Sequence, residues 1–211
     1  LGNEINRATF DTVRALTQYL EHDAFPGFVE QVPAFVSVTL YYDSRQVSLA
    51  EVCAWVEHVV PVLTHQVAGA PRLVEIPVCY GGQFGEDLEF VAQHNKLTPG
   101  DVVEIHANAT YLVHMLGFMP GFPYLGGMSD RIATPRRTSP RVIIPGGSVG
   151  IAGSQTGIYP LESPGGWQLI GRTPVKLFQA NEHPPVYLRA GDLVRFRAIS
   201  AEEFHAYQKA G

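Results

Sequence analysis

Three arginines stand within six residues in Thr134-Pro-Arg-Arg-Thr-Ser-Pro-Arg141, where prolines restrict the backbone around them. Guanidinium groups at Arg136 and Arg141 held in this way suit carboxylates or phosphates, which they grip through two parallel hydrogen bonds. A solvated basic loop would have the same composition, and residue types alone leave both readings open. Arg172 is a further anion-contact candidate. Gln155, Thr156 and Tyr159 supply donors and acceptors in a glycine-rich stretch, where backbone N–H groups can approach a ligand closely or simply satisfy a turn. Among eight histidines, His106 and His114 bracket the entry to this region. His106 is the acid–base candidate, set against the common alternative of a hydrogen-bonded structural histidine.

Other chemistries are excluded by what the spacing lacks. Gly146-Gly-Ser-Val-Gly150 has the letters of a nucleophile elbow, but that motif needs a helix directly after the serine to expose its hydroxyl. The following Ile151-Ala-Gly-Ser-Gln-Thr-Gly157 is a poor helix, so Ser148 reads as part of a structural turn. None of the lysines, Lys96, Lys176 and Lys209, follows a glycine, so there is no phosphate-cradling P-loop. The same shortage of lysine removes a serine–lysine amidase arrangement. Cys53 and Cys79 lack paired metal-ligand spacing, no His-x-x-x-His pair occurs, and no metal site is expected.

Positioning these groups requires ordered turns. Of 37 Gly and Pro residues in 211, 20 fall between Gly117 and Pro174. That density would signal a linker, but Phe118, Phe122, Tyr124, Ile144, Tyr159, Trp167 and other apolar residues are interleaved with it. The segment therefore reads as short strands and tight turns, with Trp167 in the core or at a partner contact. It carries five Arg against Asp130 and Glu162, a local charge of +3 in a chain of net charge -5. The overall acidity argues against nucleic-acid binding, and no apolar run reaches the roughly 18–20 residues that span a bilayer. Two cysteines fit a reducing, cytoplasmic setting.

The first seventy residues read as a separate α/β unit. Asn3 is placed to cap a helix with Ile5, Ala8, Val13, Leu16 and Leu20 on one side. Strands are expected over 28–32 and 34–42, and Ser48 with Glu51 forms a capping box opening a second helix. With a strand at 73–78 the order α-β-β-α-β resembles a ferredoxin-like split βαβ, whose first strand is expected upstream of Leu1. Turn residues place a boundary near Gly69-Ala-Pro71, giving domains 1–71 and 72–211. Beyond it come short helices over 87–94 and from Thr98-Pro99 to about His106. Strands follow at 111–118, 175–178, 186–188 and 193–198, with a last helix capped by Ser200 and Glu203. Many short strands with few helices indicate an α+β chain with a barrel or sandwich as its second domain.

The long motifs also carry a family resemblance. Gly117-Phe-Met-Pro-Gly-Phe-Pro-Tyr-Leu125, Pro145-Gly-Gly-Ser-Val-Gly-Ile-Ala-Gly153, Gln155-Thr-Gly-Ile-Tyr-Pro160 and Ser163-Pro-Gly-Gly-Trp-Gln-Leu-Ile-Gly-Arg-Thr-Pro174 resemble the family of B-type 5-oxoprolinase subunits, also labelled allophanate hydrolase subunit 1. Ile76-Pro-Val-Cys-Tyr-Gly-Gly82 and Ala190-Gly-Asp192 extend the likeness. The resemblance implies a cyclophilin-like barrel, a second cyclophilin-like subunit of C type and a third of A type. With these, the assembly uses ATP to open the lactam of 5-oxoproline to glutamate. It also admits a regulatory protein that inhibits a histidine kinase, or a carboxyltransferase module of a biotin-dependent urea carboxylase.

Overall fold

The computed structural model describes residues 1–4, 6–63 and 71–210. The chain divides into two compact units, Leu1–Ala70 and Pro71–Gly211. The expected turn residues Gly69 and Ala70, and Ile5 of the expected first helix, lie outside the described residues.

In the first unit α1 spans Arg7–His22, and its cap is Asn6, whose side chain accepts the Thr9 N–H at 2.9 Å. The helix thus starts one turn later than a cap at Asn3 predicts, and Ala8 is exposed while Phe10, Val13, Leu16 and Leu20 are buried. Strands β1 (Phe28–Pro33) and β2 (Val38–Tyr42) form an antiparallel pair. The strand expected over 34–42 is shorter because Ala34 N–H bonds to Ser37 O, closing the turn between Pro33 and Val38. Alternation of apolar residues simply runs on through the turn. Helix α2 (Leu49–Leu63) opens with the Ser48–Glu51 capping box and buries Val52, Val59 and Leu63, while Leu49 faces outward. Phe25 and Trp55 complete this small core, their rings 5.1 Å apart.

The second unit is a closed seven-stranded barrel. Its members are β3 (Leu73–Tyr80), β4 (Thr110–Leu116), β5 (Pro123–Gly126), β7 (Ser148–Ala152), β8 (Gln155–Ile158), β10 (Gln168–Arg172) and β11 (Leu193–Ala198). Around the barrel they run β10-β3-β11-β4-β5-β8-β7, and β7 pairs back to β10. All these pairs are antiparallel except β3 with β11, which is parallel. The strand expected as the last element of the small unit is therefore a barrel stave. Its burial explains this: Val74, Ile76 and Val78 enter the same core as Val194 and Phe196. Outside the barrel lies a second ribbon, β6 (Arg141–Ile144) with β9 (Ser163–Gly165).

Helices α3 (Leu88–His94) and α4 (Pro99–Asn108) cover part of the barrel, and α5 (Ala201–Ala210) follows β11. The Thr98 hydroxyl accepts the Asp101 N–H at 3.1 Å and Asp101 accepts the Thr98 N–H in return at 2.8 Å. Ser200 and Glu203 repeat this reciprocal pattern. The strands expected at 175–178 and 186–188 reduce to one bridge between Phe178 and Val186. Gly146-Gly147 is a turn; Ser148 then opens β7, and its hydroxyl donates to Pro145 O at 2.7 Å.

Leu125 is fully enclosed in the barrel and Val142 is 83% exposed on β6. Leu125→Ala is expected to cost about 2–5 kcal/mol and Val142→Ala less than about 0.5 kcal/mol, read from urea-unfolding midpoints.

Candidate functional site

The positive segment finds its counter-charge outside itself, at Asp87. This residue precedes α3, and its side chain is almost wholly buried. One carboxylate oxygen accepts from Arg141 Nη2 at 2.8 Å and from Arg137 Nη1 at 3.1 Å. The other accepts the Leu169 N–H at 2.7 Å, and the Asp87 N–H donates to Leu169 O at 2.8 Å. Asp87 therefore stitches the start of α3 to β10 while gathering two guanidiniums. Glu86, exposed, adds a longer contact to Arg141 at 3.4 Å. These carboxylates hold the Arg141 pKa above its ordinary value, with Asp87 the larger cause. Arg141 Nη1 is buried and has no hydrogen-bond partner among the described residues.

Beside this ion pair lies an aromatic cluster formed by the Gly/Pro-rich turns. Phe122, Tyr159 and Trp167 are buried and meet edge to face, with centroids 5.4–6.4 Å apart. The Arg136 guanidinium sits 6.0 Å from the Trp167 ring centroid, a cation–π distance. Burial pushes the Tyr159 phenol up to about 12, partly opposed by the Trp167 backbone N–H and by the charges of Arg136 and Arg141. The ribbon β6–β9 closes on this cluster at Gly165, where a Cβ would stand 2.5 Å from the Tyr159 hydroxyl and 2.8 Å from Ile144. Only glycine allows so close an approach.

Three of the residues singled out in the sequence thus come together: Arg136, Arg141 and Tyr159. The others lie elsewhere. Arg172 is half-buried on a separate groove, with Nε donating to Gly146 O at 2.9 Å. Gln155 is half-buried at the start of β8, next to the tight turn at Gly153-Ser154. Thr156 and His106 are wholly enclosed and bonded to each other. Thr156 Oγ1 donates to Gly150 O at 3.0 Å, so it accepts from His106 Nε2 at 2.9 Å. His106 Nδ1 is then the acceptor for the Tyr80 hydroxyl at 2.8 Å. His106 also stacks on Phe196 at 4.5 Å, and burial lowers its pKa to about 3. In this setting the ring is neutral, both nitrogens are engaged, and no solvent reaches it.

Asp87, which gathers Arg137 as well as Arg141, is the partner that the sequence does not single out. The +3 charge of the 117–174 segment requires an acidic counterpart, but nothing local points 50 residues upstream. Among the described residues no group of three His, Cys, Asp or Glu gathers as metal ligands, and no helix is long and apolar enough to cross a membrane.

Comparison with known proteins then places the chain. Residues 1–188 match the family model described as "Carboxyltransferase domain, subdomain C and D". The chain is 51% identical to the B-type 5-oxoprolinase subunit of Bacillus subtilis (strain 168), over 99% of this chain and 91% of that one. This chain belongs to the family of B-type 5-oxoprolinase subunits. A second member, the B-type 5-oxoprolinase subunit of Escherichia coli O157:H7, is 45% identical over 81% of this chain and 78% of its own. The crystal structure of TTHA0988 superposes with a TM-score of 0.83 at 36% identity, covering 95% of this chain but 38% of that longer one. The family relationship and the cyclophilin-like barrel agree with the expectation from the Gly/Pro motifs.

Two outcomes follow from the site's electrostatics. Removing Asp87 with Asp87→Ala leaves two guanidiniums without their buried counter-charge and is expected to cost about 3–5 kcal/mol by chemical denaturation. His106 is depressed below its unfolded value, so its contribution is present above pH 6.5 and is lost as pH falls toward about 3. Between pH 6.5 and 5 the wild type should lose about 1.5 kcal/mol more than a His106→Gln variant, measured as paired urea titrations. Equal losses would show that His106 does not stay neutral in the fold.

Proposed function

We propose that this chain is the B-type subunit of an ATP-dependent 5-oxoprolinase, which opens the lactam of 5-oxoproline to glutamate. In that assembly it works with a second, cyclophilin-like subunit of C type and a third of A type. The observation that carries the reading is the 51% identity to a B-type 5-oxoprolinase subunit across 99% of the chain. A lactam carbonyl is a poor electrophile, and ATP overcomes this by phosphorylating its oxygen before water attacks. Such a step needs positive, preorganised groups where charge develops.

The arginine–aromatic cluster has the features for anion recognition. Arg141 is anchored through Nη2, and its Nη1, buried and without a hydrogen bond among the described residues, lends its positive charge to the carboxylate of 5-oxoproline from beneath the surface. Arg136 lies over Trp167 on an exposed loop and closes on the same ligand from outside. Tyr159 stays protonated at neutral pH and serves as a hydrogen-bond donor rather than a base. We assign His106 and Thr156 to holding the barrel interior, because both are enclosed and mutually satisfied. The chain has no P-loop, so the nucleotide's further contacts come from the partner subunits.

The description of the matching family model favours one other reading, a carboxyltransferase module acting on an amide. That reading requires dependence on a biotin carrier. The reconstituted three-subunit complex is expected to hydrolyse ATP only when 5-oxoproline is present and with no biotin protein added. Arg136→Ala should lower kcat/KM at least about tenfold, the loss of one charge-assisted contact, without lowering the melting temperature. ATP hydrolysis indifferent to 5-oxoproline would sink the proposal.

A further inference from the structure

A groove of about 700 Å³ lies on the barrel unit away from the Asp87 ion pair. Arg172, Lys176, Gln179, Tyr187, Tyr207 and Gln208 supply its polar lining. Among the described residues no carboxylate lines it, although the chain as a whole is acidic. Among the same residues neither Arg172 nor Lys176 has an ion-pair partner. Two unopposed cations sharing a groove in a net-negative protein form a local focus of positive potential.

The walls are built rather than loose. Gly147, at φ +84°, lets its backbone pass against Thr173, and a Cβ there would collide with Thr173 O. Thr173 N–H in turn bonds to Gly147 O at 2.9 Å, and Arg172 Nε is tied to Gly146 O. Tyr207 is fixed through its hydroxyl by Arg197 Nη2 at 3.2 Å. The backbone of Tyr187 is held from both sides, its N–H by Leu177 O and its carbonyl by Arg72 Nη2. With Nε committed to Gly146, the terminal nitrogens of Arg172 remain for a ligand. Lys176 is exposed, and its long stem lets it meet the same ligand from the rim. Two half-exposed phenol rings and two amides then offer a flat surface and neutral hydrogen bonds for the ligand's body.

From this arrangement we infer that the groove binds a small organic dianion, with Arg172 and Lys176 sharing its charge and Tyr187 and Tyr207 flanking its body. A volume of this size suits a ligand as large as a nucleotide. A phosphate ester and a dicarboxylate present the same chemistry to the two cations, and the experiment separates them. The inference stands on the groove alone and does not depend on the lactam reading, which is tested on the assembled complex.

Isothermal titration of the full chain with AMP, glutarate and the monoanion butyrate tests it. Saturable one-to-one binding of AMP or glutarate is expected, with a dissociation constant below about 1 mM, and weaker binding of butyrate. Binding of AMP identifies a phosphate ligand; binding of glutarate identifies a dicarboxylate. Lys176→Gln changes an exposed side chain with no bond to the described residues, and is expected to weaken binding about tenfold. Arg172→Gln should do the same, with circular dichroism reporting that the barrel is intact. Arg45→Gln, which removes an exposed cation from the first unit, should leave this affinity unchanged. No saturable binding of any of the three, tightest binding of butyrate, or binding indifferent to Lys176→Gln would overturn the inference.

Discussion

Arg141 is charged, four-fifths buried and near enough to Tyr159 for its charge to act on that phenol, and the arrangement around it stands only because Asp87 neutralises it. A lone buried guanidinium would cost several kcal/mol. Asp87 offsets that cost and does more, because its second oxygen and its own N–H are committed to the backbone of Leu169. The ion pair is therefore also a clamp between α3, β10 and the β6–β9 ribbon. Once β6 is pinned there, Ile144 falls into the aromatic cluster and Gly165 closes against Tyr159. The buried Nη1 of Arg141, without a hydrogen bond among the described residues, is a by-product of this geometry: the fold uses one side of the fork and leaves the other.

The Gly/Pro-rich region gains its order in the same way. Its strands are only three to five residues long, too short to hold by pairing alone. What fixes them is that each turn delivers an apolar residue to one of two cores. Val149, Ile151, Ile158 and Ile170 go to the barrel interior, and Phe122, Tyr159, Trp167 and Leu169 go to the outer aromatic cluster. Strand β10 serves both, alternating from one side to the other.

Local signals are legible in the sequence and distant ones are not. The helix caps at Ser48, Thr98 and Ser200 lie within four residues of their partners, and each opens a helix in the structure. The Gly/Pro motifs are long enough to name the family. Asn3 and Asn6 both precede plausible apolar spacings, and only packing of Phe10 selects the register that starts from Asn6. The destination of Leu73–Tyr80 is hidden because its parallel partner stands about 120 residues away. His106 looks available for chemistry for a related reason: the groups that occupy its nitrogens, Tyr80 and Thr156, are 26 and 50 residues distant in sequence. Of the proposed ligand contacts, Arg136, Arg141 and Tyr159 converge because the turns between them are tight, a property their spacing already carries.

The parallel pairing of β3 with β11 sets the order in which the barrel can be made. The stave that opens the unit finds one of its two neighbours only in β11, about 120 residues later, and Arg72 meets Asp192 across the same gap. As the polypeptide leaves the ribosome, one edge of β3 stays unpaired until Leu193–Ala198 have emerged. Everything between, including the aromatic cluster, must wait on an open sheet. Such non-local closure makes for slow folding and exposes a sticky edge meanwhile. The terminal helix α5, with Phe204 packed beside Cys79 on β3, is then the latch placed over a seam that has only just been sealed.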